Sequence, residues 1–186
     1  EDGIHTADIF NIENSKIKIE QDSVFNFSFL LDSIPSQNID STFYWNINCN
    51  QFEFHQANIS YKNQFQENAS KIFVKDLNFF ITDFDNFNDS IQFKINSLDF
   101  NDGKNLYVNQ LATKVAITKN EILLSGLNFE SKHSQINNST LLVLLKEKPE
   151  IDFQLRNSEI SFFELAEIIP AIRGMDQSIN ISGHIY

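Results

Sequence analysis

Apolar or small side chains recur along this chain at relative positions 1, 3, 6 and 8, usually with another at 10, and polar residues or glycine fill the gaps. Copies begin at Phe10, Phe52, Ile72, Phe93, Leu106, Ile122 and Phe153. Phe10-Ile12-Ser15-Ile17-Ile19 aligns with Phe52-Phe54-Ala57-Ile59-Tyr61 and with Ile72-Val74-Leu77-Phe79-Ile81. Ile122-Leu124-Leu127-Phe129 and Phe153-Leu155-Ser158-Ile160-Phe162 follow the same spacing. Recurrence of one short pattern is the mark of a repeat architecture.

A period of two is a strand period, and one extra residue in mid-strand swaps the faces unless the backbone absorbs it. A β-bulge does so. The residue pairs at the offset are Glu13-Asn14, His55-Gln56, Lys75-Asp76, Asn96-Ser97, Asn109-Gln110, Ser125-Gly126 and Arg156-Asn157. All are polar or small, which suits a kinked point. Each copy is therefore expected to be one long bent strand that keeps its apolar side chains on a single surface.

Polar clusters between the copies predict hairpin loops at Asn63 to Asn68, Asp83 to Asp89, Asn101-Asp102-Gly103, Lys119-Asn120 and Ser131 to Ser139. Strands joined this way predict an antiparallel meander. Phe25 to Leu31 reads as a further strand, and Phe43 to Ile47 as the start of the next; Ser36 to Ser41, after Pro35, interrupts them. One helix is expected over residues 162–169. Ser161 and Glu164 have capping-box spacing, Phe162, Leu165, Ala166 and Ile169 fall at helical intervals, and Pro170 stops the run. Ile179-Asn180-Ile181 then resumes a strand pattern.

Ten or so strands about 4.8 Å apart make a sheet roughly 50 Å long, and one short helix cannot cover it. Each large apolar side chain left in water forfeits about 1.5 to 3 kcal/mol. Such a surface must curl onto itself, meet a second sheet or take up an apolar guest. The near-uniform repeat favours one sheet folded lengthwise into a trough. The fold class is thus all-β: a long antiparallel repeat sheet curled into a hydrophobic groove, with one short helix. The side chains assigned to the groove are Ile72, Val74, Leu77, Phe79 and Ile81 from one copy, then Phe93, Ile95 and Leu98. Leu106, Val108, Leu111, Ile122, Leu124, Leu127 and Phe129 complete the set.

At 186 residues and 41% hydrophobic content the chain can fold, and residues 1–186 are read as one domain segment. The balance of 14 basic against 25 acidic residues argues against a nucleic-acid surface, which needs clustered Lys and Arg. No apolar run reaches the roughly 18 to 20 residues of a membrane-spanning helix; the longest, Leu141 to Leu145, is strand-sized. The chain starts at Glu1 with no basic-then-apolar leader, so any anchoring segment is expected outside it, in a longer protein.

Little here proposes chemistry. His5, His55, His133 and His184 lack the paired spacing of a metal site, and Asp83, Asp85 and Asp89 lack the oxygen ligand and glycine of a calcium loop because Phe87 intervenes. Cys49 is the sole cysteine and has no activating histidine in sequence context. There is no glycine-rich phosphate loop and no Gly-x-Ser-x-Gly elbow. No cofactor, metal or catalytic residue is expected. Asn-x-Ser/Thr matches such as Asn58-Ile59-Ser60 and Asn138-Ser139-Thr140 arise readily in a chain this rich in Asn.

From Trp45 to Ile136 the sequence resembles the periplasmic repeat region of TamB proteins, in the AsmA-like superfamily, above all the Bacteroidota forms. The resemblance lies in Trp45-Asn46-Ile47 leading to Phe52-Glu53-Phe54 and Ile59-Ser60-Tyr61, in Val74-Lys75-Asp76-Leu77, in Ile95-Asn96-Ser97-Leu98, in Leu106 to Leu111, and in Ser131-Lys132-His133-Ser134-Gln135-Ile136. Pro149 to Phe153, then Phe163, Leu165 and Pro170, then Ile181-Ser182-Gly183, are similar to that family as well. The resemblance implies a hydrophobic β-taco anchored in the inner membrane of a Gram-negative envelope and crossing the periplasm. It implies phospholipid as the ligand, transport to the outer membrane, and support of outer-membrane protein assembly with a BamA-like partner, TamA or a relative. That partner would meet regions outside this sequence. The groove side chains above would then face acyl chains, and the helix could act as a plug. The alternative is a structural scaffold that binds nascent outer-membrane strands by adding them to a sheet edge. A third option, a two-sheet extracellular sandwich, requires a second layer.

Overall fold

The computed structural model describes residues 4–21, 46–63, 72–87, 90–103, 106–168 and 172–185. They form strands β1 (Ile4–Glu13), β2 (Lys16–Gln21), β3 (Asn46–Asn63), β4 (Ile72–Phe87), β5 (Ser90–Asn101), β6 (Tyr107–Ile117), β7 (Glu121–Ser131), β8 (Gln135–Leu144), β9 (Glu150–Ser161), helix α1 (Phe162–Ile168) and β10 (Ser178–Ile185). All ten strands belong to one open, curled sheet in the order β1-β3-β4-β5-β6-β7-β8-β9-β10, with β2 continuing the line of β1 along β3. Each strand packs along its sheet neighbours, and the backbone of α1 lies against β9 and β10. Among the described residues there is no facing second sheet, so the sandwich has nothing to form it.

The meander holds from β3 to β10, where every pairing is antiparallel. It does not hold at the start. β1 and β2 both run parallel to β3, which a tight hairpin cannot produce; the expected strand Phe25 to Leu31 lies outside the described residues. Two expected loops are also shorter than their polar composition suggested. β4 continues through Asp83, Phe84 and Asp85 to Phe87, and β8 already begins at Gln135, leaving only residues 132–134 as the turn.

Each offset named from the sequence is where a strand gains its extra residue. Asn14 (φ 49°), Gln56 (53°), Asp76 (51°), Gly126 (63°) and Asn157 (41°) take the left-handed conformation. In β5 and β6 the pairing register skips Asn96 and Asn109 instead. The bulges restore the face that an odd insertion would have lost. Consequently Phe52 pairs with Ile81, Phe54 with Phe79, Ala57 with Leu77, Ile59 with Val74 and Tyr61 with Ile72, position for position between β3 and β4.

Five residues at relative position 6 are buried, while Ser15, Leu98 and Leu111 at the same position are only partly covered. Ala57 and Ser139 are 0% exposed, Ser158 1%, Leu127 6% and Leu77 7%, and they form the crease of the curl. Ser139 reveals an eighth copy, Ser134-Ile136-Ser139-Leu141-Val143, with its own bulge at Asn138 (φ 41°). It pairs with the Ile122 copy rung for rung: Val143 with Ile122, Leu141 with Leu124, Ser139 with Leu127, Ile136 with Phe129.

The polar side of the bulges is stitched by side chains. Asn58, Asn78 and Asn128 each donate from Nδ2 to the carbonyl two residues back, at Gln56 (3.4 Å), Asp76 (3.3 Å) and Gly126 (2.9 Å). Two of those amides also accept from the next strand: Gln56 N donates to Asn78 Oδ1 (3.1 Å) and Asn138 N to Asn128 Oδ1 (3.0 Å). Between β8 and β9 the backbone pairing opens where the two bulges meet. Ser139 Oγ there accepts Arg156 N (3.1 Å) and donates to Asn137 O (3.1 Å), while Ser158 Oγ accepts Asn137 N (3.4 Å) and donates to Arg156 O (3.0 Å). Buried backbone groups must find partners, and two serines supply them.

Gly126→Ala tests the bulge. A Cβ there meets nothing closer than Asn138 Oδ1 at 3.8 Å, so the cost is conformational rather than steric. Urea unfolding is expected to show a loss of about 1 to 2 kcal/mol for Gly126→Ala and a smaller loss for Gly126→Asn, since asparagine tolerates the left-handed region. An alanine variant as stable as the asparagine variant would contradict the assignment.

Candidate apolar groove and its helix

Ile72 apart, the assigned groove side chains share one face of the sheet. Phe79 pairs with Leu98 and Ile81 with Ile95 across β4 and β5. Phe93 lies opposite Val115, which lies opposite Leu124, which lies opposite Leu141, which lies opposite Phe153. Ile122 sits between Ile117 and Val143, Leu111 faces Phe129, and Val108 lies opposite Phe100 and Ser131. Val74 faces Ile59; Ile72 pairs with Tyr61, and its side chain lies outside the described set.

These side chains divide by depth. Leu77, Ile81, Val108 and Leu127 are buried, whereas Val74, Phe79, Phe93, Ile95, Leu98, Leu106, Leu111, Ile122, Leu124 and Phe129 are only partly covered. The crease is packed and the flanks are not. At the β1 edge an aromatic run lines the same face: Phe10 stacks on Phe52 at 4.8 Å between centroids, Phe54 lies edge-on to Phe52 at 5.1 Å and stacks toward Phe79 at 6.4 Å, while Phe84 stacks on Phe93 at 6.1 Å. Phe10 remains 46% exposed there.

The structure gathers Leu106, Leu111, Leu124, Leu127 and Phe129 around one recess of about 270 Å³, and leaves the assigned residues of β4 and β5 outside it. Its other walls are Ile136, Phe153 and Ile160 from the sheet and Leu165 from α1, with Ser134 and Glu164 at one end. Phe52, Phe54 and Phe153 head or follow repeat copies and belong to this face although they were not among the assigned groove residues. Val115, Leu141 and Leu155 have the same parity, legible once the bulge is counted.

Helix α1 is anchored by a contact that capping-box spacing did not foretell. Glu164, 3% exposed, does not return to the Ser161 N–H. It accepts from Ser131 Oγ (2.5 Å), Ser134 Oγ (2.7 Å) and His133 N (3.0 Å) in the β7–β8 turn. Ser161 N donates instead to Ser134 Oγ (3.0 Å), and Phe162 N to Gln177 O (2.9 Å). A carboxylate can be buried when several donors satisfy it. Here the donors come from a neighbouring hairpin, so one side chain ties α1 to the rim of the recess.

On the polar side of β3, the carboxyl of Glu53 is held below its ordinary value of 4.5, first by the hydrogen bond from His55 and next by that from the Gln51 amide. Its contribution to stability is therefore present above 4.5 and is lost as pH falls through its lower value in the fold. Among the described residues no three His, Cys, Asp or Glu side chains converge as metal ligands, and Cys49 is buried as a free thiol.

Removing the anchor should loosen this end of the sheet. Glu164→Ala leaves two hydroxyls and one N–H without their shared acceptor, an expected local cost of about 2 kcal/mol. Hydrogen exchange at His133 and Ser161 should accelerate on the order of thirty-fold while β3 and β4 keep their protection. Unchanged exchange at both amides would show that the carboxylate does not hold the helix.

Comparison with protein-family models, with curated proteins and with solved structures returns no match to this chain.

Proposed function

We propose that this chain is a non-enzymatic section of a lipid conduit, in which phospholipid acyl chains lie along the apolar face of the curled sheet while headgroups stay at its open, wetter margin. The observation that carries this reading is the combination of a continuous apolar face on a single sheet with flanks that no second layer of the described residues covers. A surface of this size left to water is strongly unfavourable, at about 25 cal/mol per Å² of apolar area. An acyl chain relieves that cost without any chemical step. Movement then needs only a continuous path of similar sites.

The likeness of the repeat phrases to TamB proteins supports the same reading and adds its setting: the periplasm, an inner-membrane anchor outside these residues, phospholipid delivery to the outer membrane, and a BamA-like partner reached through other regions. A second reading, a scaffold for nascent outer-membrane strands, is favoured by the terminal places of β1, β2 and β10 in the sheet, since a further strand would add at such an edge.

Phe79→Arg and Phe93→Arg test the first reading, because both positions are partly covered rather than at the crease. Transfer of a fluorescent phosphatidylethanolamine between donor and acceptor vesicles by the purified chain should fall at least ten-fold in the double variant, with its far-ultraviolet dichroism unchanged. Full transfer by the folded double variant would refute the conduit. Proline substitutions along β10 that spare lipid transfer yet abolish capture of an unfolded outer-membrane protein would instead support the scaffold.

A further inference from the structure

The recess beneath α1 differs from the rest of the apolar face in being roofed, and its walls leave almost no polar group unsatisfied. Leu111, Leu127, Phe129, Ile136 and Phe153 form its floor and sides, and Leu165 of α1 overhangs it. We propose that it is a discrete site for the terminal methylenes of one acyl chain, an end stop within the wider groove; this rests on the lipid reading above.

Three observations choose that occupant. First, the volume is about 270 Å³, about nine times the roughly 30 Å³ share of one liquid water. A methylene takes much the same space as a water, so the recess holds the end of a single chain and not a headgroup or a whole lipid. Second, the walls would not hold water well. Cavities of about 150 Å³ lined by Leu, Ile and Phe stay dry and admit apolar guests. Third, Glu164, the one charged group among the described lining residues, is engaged by protein donors. It accepts from Ser131 Oγ, Ser134 Oγ and His133 N, which turns its carboxylate to the β7–β8 turn. A polar chain end would therefore be desolvated in the recess without compensation, whereas a methyl terminus loses nothing.

The arrangement gives the polar network a purpose that stability alone does not require. By drawing Glu164 toward the β7–β8 turn, it sets Leu165 over the apolar floor and closes one side of the recess. A chain sliding along β3 to β7 meets this roof and stops. The distance from headgroup to chain end then fixes where along the sheet the headgroup emerges.

The test uses two phosphatidylcholines, one with a diazirine near the methyl end of an acyl chain and one with it beside the ester, each loaded into the full chain, irradiated and mapped by mass spectrometry. The methyl-end probe is expected to label Leu111, Phe129 or Leu165 at least ten-fold more than the ester-side probe. Leu165→Trp, which fills the recess, should cut that labelling at least five-fold while labelling around Phe79 and Phe93 persists. Equal labelling of the recess by both probes would overturn the end stop, as would undiminished labelling of its walls in the folded filled variant. Labelling confined to Phe79 and Phe93 would overturn the end stop and leave the conduit standing. Failure of either probe to label any apolar residue of the sheet would remove both.

Discussion

Everything in this sheet depends on how it absorbs one extra residue per strand. Alternation keeps apolar side chains on one face only while the count between them is even, and each copy here breaks that count between positions 3 and 6. Left-handed residues or register skips repair it in strand after strand, at Asn14, Gln56, Asp76, Asn96, Asn109, Gly126, Asn138 and Asn157. Left-handed backbone costs an L-residue about 1 to 2 kcal/mol, so its repetition is itself informative. What it secures is a bend at the same height on neighbouring strands and a single unbroken apolar surface.

That bend sorts side chains by size and depth. Ala57, Ser139 and Ser158 are the most deeply buried, and the serines convert lost backbone pairing into hydroxyl bridges. Leucines take the crease where the neighbouring strand leaves space, at Leu77 and Leu127. Away from it the phenylalanines and leucines are large, crowded along the sheet and incompletely covered. A closed core would bury them on both sides. This sheet supplies only one side, and the one helix among the described residues is too short to supply the other. The polar reverse of the bulges, with Asn58, Asn78 and Asn128 clipped to the carbonyls behind them, makes the outer surface as specific as the inner one.

Much of this was legible in the chain. Period two with an odd insertion specifies long bulged strands, and polar pairs at the insertion named the bulge sites. The short helix was visible from Phe162, Leu165 and Ala166 and from Pro170 beyond them. Other features were hidden for physical reasons. The eighth copy was masked because its first half, Ser134 to Ser139, is polar enough to read as part of a hairpin loop. The parallel pairing of β1 and β2 was hidden because alternation gives the face of a strand and not the direction in which it pairs. Asp83 to Phe87 looked like loop because acidic and asparagine residues dominate it, yet a further bulge at Asp83 (φ 57°) carries Phe84 round to Phe93. Ser161 and Glu164 had the spacing of a local cap; burial under a neighbouring turn offered the carboxylate three donors, and the tertiary contact prevailed. Within the groove, face membership followed from parity, but the recess did not: it requires β6 to β9 and α1 to converge, which no single strand pattern contains.

The central claim is that a guest completes what the sheet leaves uncovered. Its most direct test is solvent extraction of the purified, folded chain followed by quantitative mass spectrometry for phospholipid, before and after incubation with vesicles of phosphatidylethanolamine and phosphatidylglycerol. The account predicts retained phospholipid approaching or exceeding one molecule per chain, replenished by the vesicles after delipidation. A folded chain that emerges free of lipid and takes up none from the vesicles would contradict it.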